Sequence, residues 1–468
     1  MALLPLLRQR IHRPLFLPAH GRGAALPLAM RRLLRCRGGW WDLPELPQVG
    51  GPLATDGAVA QSQREAAQAR GLERCWYGVN GATGLLQAAL LAITQPGDAV
   101  LMPRNSHRSL IQACLLGQLT PLLFDLPFQA DRGQPAPATA AWMDRVLAAL
   151  PADHPPIGAA VLVHPTYQGY AADPGPLIQR LRMQGWPILV DEAHGSHFAV
   201  ELETCLPPSA LQAGADLVVH SLQKSASGLA QTAVMWMQGQ RVDPCLVDRS
   251  LAWLQTTSPS ALLLASCAST LMEWEQARGR RLLDQRLRQA EQLAVDLRHD
   301  GVPLLHTQDP LRLVLHTGAA GISGLEADEW MLKRGLIAEL PEPATLTFCL
   351  GLVAHKGLRQ LIRQHWFELL QDHADRSPQP AFEPPPLPLV AAPEMPLGQA
   401  WRAKQQRIRL DQAEGLHAAE LVCPYPPGIP LLIPGEQLDP SRLRWLLRQR
   451  QLWGDQISET VACVAEIA

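Results

Sequence analysis

Lysine is nearly missing from this chain of 468 residues: only Lys224, Lys333, Lys356 and Lys404 occur, within a combined lysine and arginine count of 41. Arginine carries the remaining positive charge, and a guanidinium stays protonated, so an amine nucleophile has four side-chain candidates. Neither sign of charge is in excess. A formal net charge of −2 gives no electrostatic case for nucleic acid or an anionic membrane as a partner. No apolar run approaches the roughly 18 residues a membrane-crossing helix needs. The nine cysteines stand singly, with no paired metal spacing and an odd total. They read as reduced thiols in a cytoplasmic protein rather than a disulfide framework. The basic N-terminal stretch with Arg8, Arg10 and Arg13 is broken by prolines and precedes no long apolar core, so it reads poorly as a signal peptide.

What is present describes a globular α/β protein. Hydrophobic residues make up 47% and charged residues 18% of the chain, and the length suits two or three domains. Short apolar runs at Ala99–Met102, Pro121–Leu126, Ala159–Val163, Pro187–Val190 and Leu217–Val219 read as strands. Several are apolar on both faces, as in a parallel sheet covered by helices. Helical patterns at Gly84–Ile93 and Asp173–Gln184 connect them, which predicts an open, mostly parallel sheet with ligands at the carboxyl ends of its strands. An N-terminal segment (1–70) precedes this large domain (71–265). A smaller α/β domain (266–376) follows, with a long helix over Ser269–Leu297, a strand at Arg312–Leu315 and a helix at Ala327–Arg334. Between Pro378 and Pro396 eight of nineteen residues are proline, which predicts a semi-rigid linker (377–400) before a small C-terminal domain (401–468).

Two strand ends carry the chemistry. The run Ile188-Leu189-Val190 delivers Asp191-Glu192-Ala193-His194, and Leu217-Val218-Val219 delivers Ser221-Leu222-Gln223-Lys224. A carboxylate at one strand end and a lysine at another are what pyridoxal phosphate needs. The amine binds its aldehyde, and the carboxylate keeps the pyridine nitrogen protonated. The alternative for Lys224 is an ordinary surface lysine. Gly81-Ala82-Thr83-Gly84 opens a helix and either cradles a phosphate or only caps it. His107, just after a strand, either stacks on a ring or decorates a surface loop. Ser221 and Gln223 flank Lys224 within reach of a phosphate. The Asp-Glu-Ala-His string imitates a helicase box, but no Gly-Lys dipeptide exists to make the required phosphate loop. His194 and His197 have a spacing that can suit a metal, yet no zinc signature surrounds them and none is expected.

These residues resemble the Orn/Lys/Arg decarboxylases, pyridoxal-phosphate enzymes of the aspartate-aminotransferase-like fold type I, in a short form without the N-terminal wing domain. The resemblance runs nearly end to end. It is carried by Leu17-Pro18-Ala19-His20-Gly21-Arg22-Gly23, Asp42-Leu43-Pro44-Glu45-Leu46, Val79-Asn80-Gly81-Ala82-Thr83-Gly84 and Arg104-Asn105-Ser106-His107-Arg108-Ser109. Further matches are Pro165-Thr166-Tyr167-Gln168-Gly169, Asp191 through Phe198, Ser258-Pro259-Ser260, and Pro424 through Pro430 closing at Pro434-Gly435-Glu436. It implies that Lys224 carries the cofactor, Asp191 pairs with its pyridine nitrogen, and His107 stacks on its ring. Thr83 and Ser221, with the Ala82 backbone, would hold the phosphate, Ala193 would pack under the ring, and His194 would face the reacting atoms. It also implies a homodimer or larger assembly and a place in polyamine metabolism.

The chain departs from the family pattern at several points. Gln223 stands where the family has histidine, Ala82 replaces a hydroxyl residue, Ala230 precedes Gln231 in place of threonine, Gln168 replaces an acidic residue, and Ala261 an aromatic. A basic substrate needs a distal carboxylate, for which Glu339 and Glu436 are the candidates. The resemblance implies decarboxylation of arginine, lysine or ornithine. The alternatives are another pyridoxal-phosphate reaction, such as transamination or elimination, and a catalytically silent scaffold.

Overall fold

The computed structural model describes residues 15–36, 41–204, 206–423, 430–454 and 457–465. The 424–429 part of the C-terminal motif lies outside the described residues. Seven strands form most of the central sheet: β1 (Arg74–Gly78), β2 (Ala99–Pro103), β3 (Thr120–Phe124), β4 (Ile157–Val163), β5 (Ile188–Asp191), β6 (Leu217–Ser221) and β7 (Ala233–Met237). Their order across the sheet is β1-β7-β6-β5-β4-β2-β3. Strands β2 to β6 pair in parallel, and β7 is antiparallel to both neighbours. Successive side chains alternate between faces. Ile188 and Val190 enter one hydrophobic cluster and Leu189 the other. With helices on both faces, β5 and β6 are buried along their whole length. Strands β1 and β7 escaped the sequence reading, because Arg74 and Gly78 dilute the first and methionines the second.

The long helix expected over Ser269–Leu297 is two, Ala261–Glu275 and Ala277–His299, with Gln276 extended between them at φ −86° and ψ 138°. Gly279 permits this corner: a Cβ there would stand 1.8 Å from the Glu273 carbonyl oxygen. Strands β8 (Arg312–Leu315), β9 (Leu340–Pro341) and β10 (Leu346–Cys349) make an antiparallel sheet in the order β8-β10-β9.

The proline-rich stretch does more than span a gap. Its β11 (Val390–Ala391) pairs antiparallel with Phe124 and Leu123 as the eighth strand of the central sheet. An edge position suits it, because neighbouring prolines cannot donate to a central ladder. Beyond it, β12 (Gln405–Arg409) and β13 (Thr460–Val464) form an antiparallel ribbon over a separate cluster that includes Leu410, Leu432, Leu446 and Val461. Among the described residues no helix is long and apolar enough to cross a membrane.

Candidate active site

Asp191 and Lys224 meet because β5 and β6 are parallel neighbours, with Asp191 in register with Val219. Lys224 follows on the single turn Leu222–Ser225. Asp191 is buried, and its Oδ1 accepts from the Ala193 N–H at 3.1 Å. Glu192 points the other way. Its fully buried carboxylate accepts from Ser209 Oγ at 2.5 Å, Ala210 N at 2.9 Å and His220 Nε2 at 2.7 Å. Adjacent carboxylates thus serve separate ends, one facing the site and one tying strands to a loop.

Lys224 Nζ lies 2.9 Å from His194 Nε2. Burial lowers the Lys224 ammonium from its ordinary range; the Asp191 charge opposes that shift and Arg312 adds to it. His194 is driven well below the usual imidazole range, first by burial and then by the charges of Lys224 and Arg312. Its Nδ1 is 3.3 Å from Arg312 Nη2, and its ring lies 4.4 Å from that of Tyr167. His197 turns instead to Asp309, Nε2 to Oδ1 at 3.0 Å, so the two histidines do not converge. Among the described residues no cluster of three metal-ligating side chains occurs.

His107 caps the helix Arg108–Gly117, with its ring accepting from the Ser109 N–H. Burial lowers its pKa, the Asp191 charge raises it, and Lys224 lowers it; Asp191 and Lys224 therefore both act on the same ring. The helix Gly81–Ala92 begins at Gly81, whose φ of +71° suits glycine. The Gly81 N–H donates to the Gln231 carbonyl at 2.8 Å. The first-turn N–H groups of Ala82 and Thr83 have no helical carbonyl to meet, as at any helix start. Ser221 and Ala193 are buried, Gln223 is half-buried and Thr83 exposed. This set suits pyridoxal phosphate: an amine with a lowered pKa, a neighbouring carboxylate, a flanking imidazole and a glycine-led helix start for an anion.

The two candidate substrate carboxylates separate. Glu339 is half-buried, accepts the Tyr167 hydroxyl at 2.5 Å and the Leu17 N–H at 2.8 Å, and its charge acts on Lys224. Glu436 is corrected by the structure. It is buried and held by Arg104 Nη2 at 2.5 Å and Nη1 at 3.1 Å, and it accepts from Ile433 N at 2.8 Å. With its charge met by a buried guanidinium, it locks the C-terminal unit to the end of β2 and is not open to a substrate. Four other participants were not singled out from the sequence: Arg312, Asp309, Tyr167 and the segment around Ala19, whose N–H donates to the Gln223 carbonyl at 2.9 Å. Motif membership was the available signal for Tyr167 and Ala19. Arg312 is one of many arginines and gave none.

A family model described as Orn/Lys/Arg decarboxylase, major domain, matches residues 41–313. A second, described as Orn/Lys/Arg decarboxylase, C-terminal domain, matches residues 379–453. The chain belongs to the Orn/Lys/Arg decarboxylase family. Membership makes it a pyridoxal-phosphate-dependent amino-acid decarboxylase of fold type I. The chain is similar to an arginine decarboxylase of Bacillus subtilis (strain 168), 27% identical over 447 residues, covering 92% of this chain and 89% of that one. An arginine decarboxylase of Halalkalibacterium halodurans is 28% identical over 446 residues, covering 92% and 89%. Among solved structures, lysine decarboxylase A from Pseudomonas aeruginosa superposes with a TM-score of 0.76 at 17% identity, over 91% of this chain and 74% of that one. A serine palmitoyltransferase from S. paucimobilis with bound PLP gives 0.55 at 15% identity, over 74% and 83%. These structural likenesses establish the fold.

Proposed function

We propose that the decarboxylase acts on arginine in preference to lysine and ornithine, releasing carbon dioxide and the guanidino amine that feeds polyamine synthesis. The observation that carries this reading is Glu339, a half-buried carboxylate that accepts the Tyr167 hydroxyl and whose charge acts on Lys224. A distal cation brought into such a site without a carboxylate would lose more solvation than binding returns. A planar guanidinium also matches a carboxylate in two parallel hydrogen bonds, which an ammonium cannot. The similar proteins named arginine decarboxylase, which cover nearly the whole chain, support the choice.

In this reading Lys224 supplies the amine that binds the cofactor aldehyde, and Asp191 holds the proton on the pyridine nitrogen. His107 would stack on the ring of the bound cofactor, and Ala193, too small to intrude, would pack under it. Gly81, Ala82, Thr83 and Ser221 bind the phosphate, with Gln223 beside them. Bound pyridoxal phosphate supplies an electron sink for the pair left when the bond from Cα to the carboxylate breaks. His194 stands where it can hold a proton close to Lys224. We place the enzyme in the cytoplasm as a homodimer. Among the described residues the buried thiols are unpaired. Trp253, 88% exposed, sits on the helix whose Leu254 carbonyl accepts from Asn80 Nδ2, beside the phosphate turn where a second subunit can cover it.

Product analysis tests the reading: arginine, lysine and ornithine are each supplied, and carbon dioxide, amines and keto acids are measured. Arginine should give the amine and carbon dioxide fastest. A keto acid in place of the amine would support a changed reaction on the same scaffold.

A further inference from the structure

The polar groups around His194 determine its protonation pattern. Arg312 is fully buried, with Nη2 3.3 Å from His194 Nδ1, and a guanidinium can only donate. Nδ1 must therefore present a lone pair, and the single proton of the neutral imidazole sits on Nε2. That proton points at Lys224 Nζ, 2.9 Å away, so the lysine must accept, which an ammonium cannot do. The opposite arrangement would set an Nδ1–H against the Arg312 N–H. We propose that Arg312 is a positioning residue that fixes His194 in the Nε2–H tautomer and thereby holds the Lys224 amine in its neutral, nucleophilic form.

The surroundings are built to hold Arg312 in this place. Asp309 Oδ2 stands 3.7 Å from Arg312 Nη1, while Asp309 Oδ1 is anchored by His197 at 3.0 Å and by the Leu311 N–H at 2.9 Å. Gly169, at φ +90°, leaves room for the side chain: a Cβ there would lie 2.7 Å from Arg312 Cγ. The same turn carries Tyr167, whose ring lies against His194. The Thr166–Gly169 turn therefore lies against both the imidazole and the aliphatic stem of the arginine that orients it. The charged and titratable groups acting on Lys224 are Asp191, Arg312, Glu339 and Cys349; those acting on His194 are Lys224, Arg312 and His107.

The proposal rests on Lys224 being the cofactor lysine, and its test reads the amine without turnover. The full chain, freed of cofactor, is acetylated competitively across pH, with Lys333, Lys356 and Lys404 as internal references. Lys224 should become reactive at lower pH than the references. Arg312→Met should move that onset upward by about one pH unit, an approximately tenfold loss of reactivity at neutral pH, and Arg312→Lys should restore most of it. In a His194→Phe background Arg312→Met should produce a clearly smaller shift, the part that the Arg312 charge exerts directly on Lys224, since the intermediary is gone. An equal shift there would overturn the proposal, because Arg312 would then act by charge alone; an unmoved onset in Arg312→Met would overturn it too. Should Arg312→Met fail to fold, nitrogen NMR of histidine-labelled native protein decides. His194 with Nε2 protonated upholds the proposal, and the opposite tautomer overturns it. Borohydride tagging of another lysine would remove the Lys224 assignment itself, separately from these outcomes.

Discussion

The Tyr167 hydroxyl donates to Glu339 Oε1 at 2.5 Å, joining a residue after β4 to one beside β9 at the edge of the lysine site. Both residues are partly open, so the carboxylate keeps lone pairs for a ligand. Glu339→Gln should raise KM for arginine by roughly 10- to 100-fold, the range expected for a lost charge-assisted hydrogen bond. KM for a neutral analogue should change little. Equal effects on both would remove Glu339 from substrate recognition.

Asp191 and Glu192 offer a paired comparison at one strand end. Asp191→Asn should lower kcat by several orders of magnitude with little change in melting temperature, because a neutral amide cannot hold the pyridinium charge. Glu192→Gln should do the reverse. Its oxygens serve Ser209, Ala210 and His220, so the loss is in stability. Steady-state kinetics beside thermal melts separate the two.

The Arg104 and Glu436 pair joins residues 332 positions apart. Removing either partner strands a buried charge and should cost about 3–5 kcal/mol of stability. Replacing both, as Arg104→Met with Glu436→Leu, should recover part of that loss. Urea titration of the two single variants and the double variant checks this coupling.

Glu342 adds a pH dependence. Its enclosed carboxyl accepts from Gln134 and Gln168, and burial pushes its pKa up to about 7. A raised carboxyl pKa means that the native state binds more protons than the unfolded one. The stabilisation is complete below the unfolded value and is lost as pH rises toward 7, by about 3 kcal/mol. Glu342→Gln should flatten stability against pH across that window, measured by denaturant midpoints. An unchanged slope would assign the dependence elsewhere.

The sequence made the chemical ends of the sheet legible, because apolar runs that stop at Asp191 and Ser221 leave little else for those residues to do. Five strand runs lie within a few residues of their observed positions. Elements whose identity depends on tertiary pairing were harder to read. Strand β11 looks like proline-rich linker until β3 is beside it, and the corner at Gln276 requires knowing which helix Gly279 approaches. Glu339 and Glu436 were indistinguishable as letters; only the position of Arg104 separates an open carboxylate from a neutralised one. Arg312 gave no local signal, since its partner His194 is 118 residues away.

Borohydride reduction of the purified enzyme, followed by peptide mapping of the cofactor tag, tests the assignment on which the rest depends. With four lysines in the chain, the outcome is unambiguous. The tag should lie on Lys224, and Lys224→Ala should carry none. A tag on Lys333, Lys356 or Lys404 would contradict the site described here.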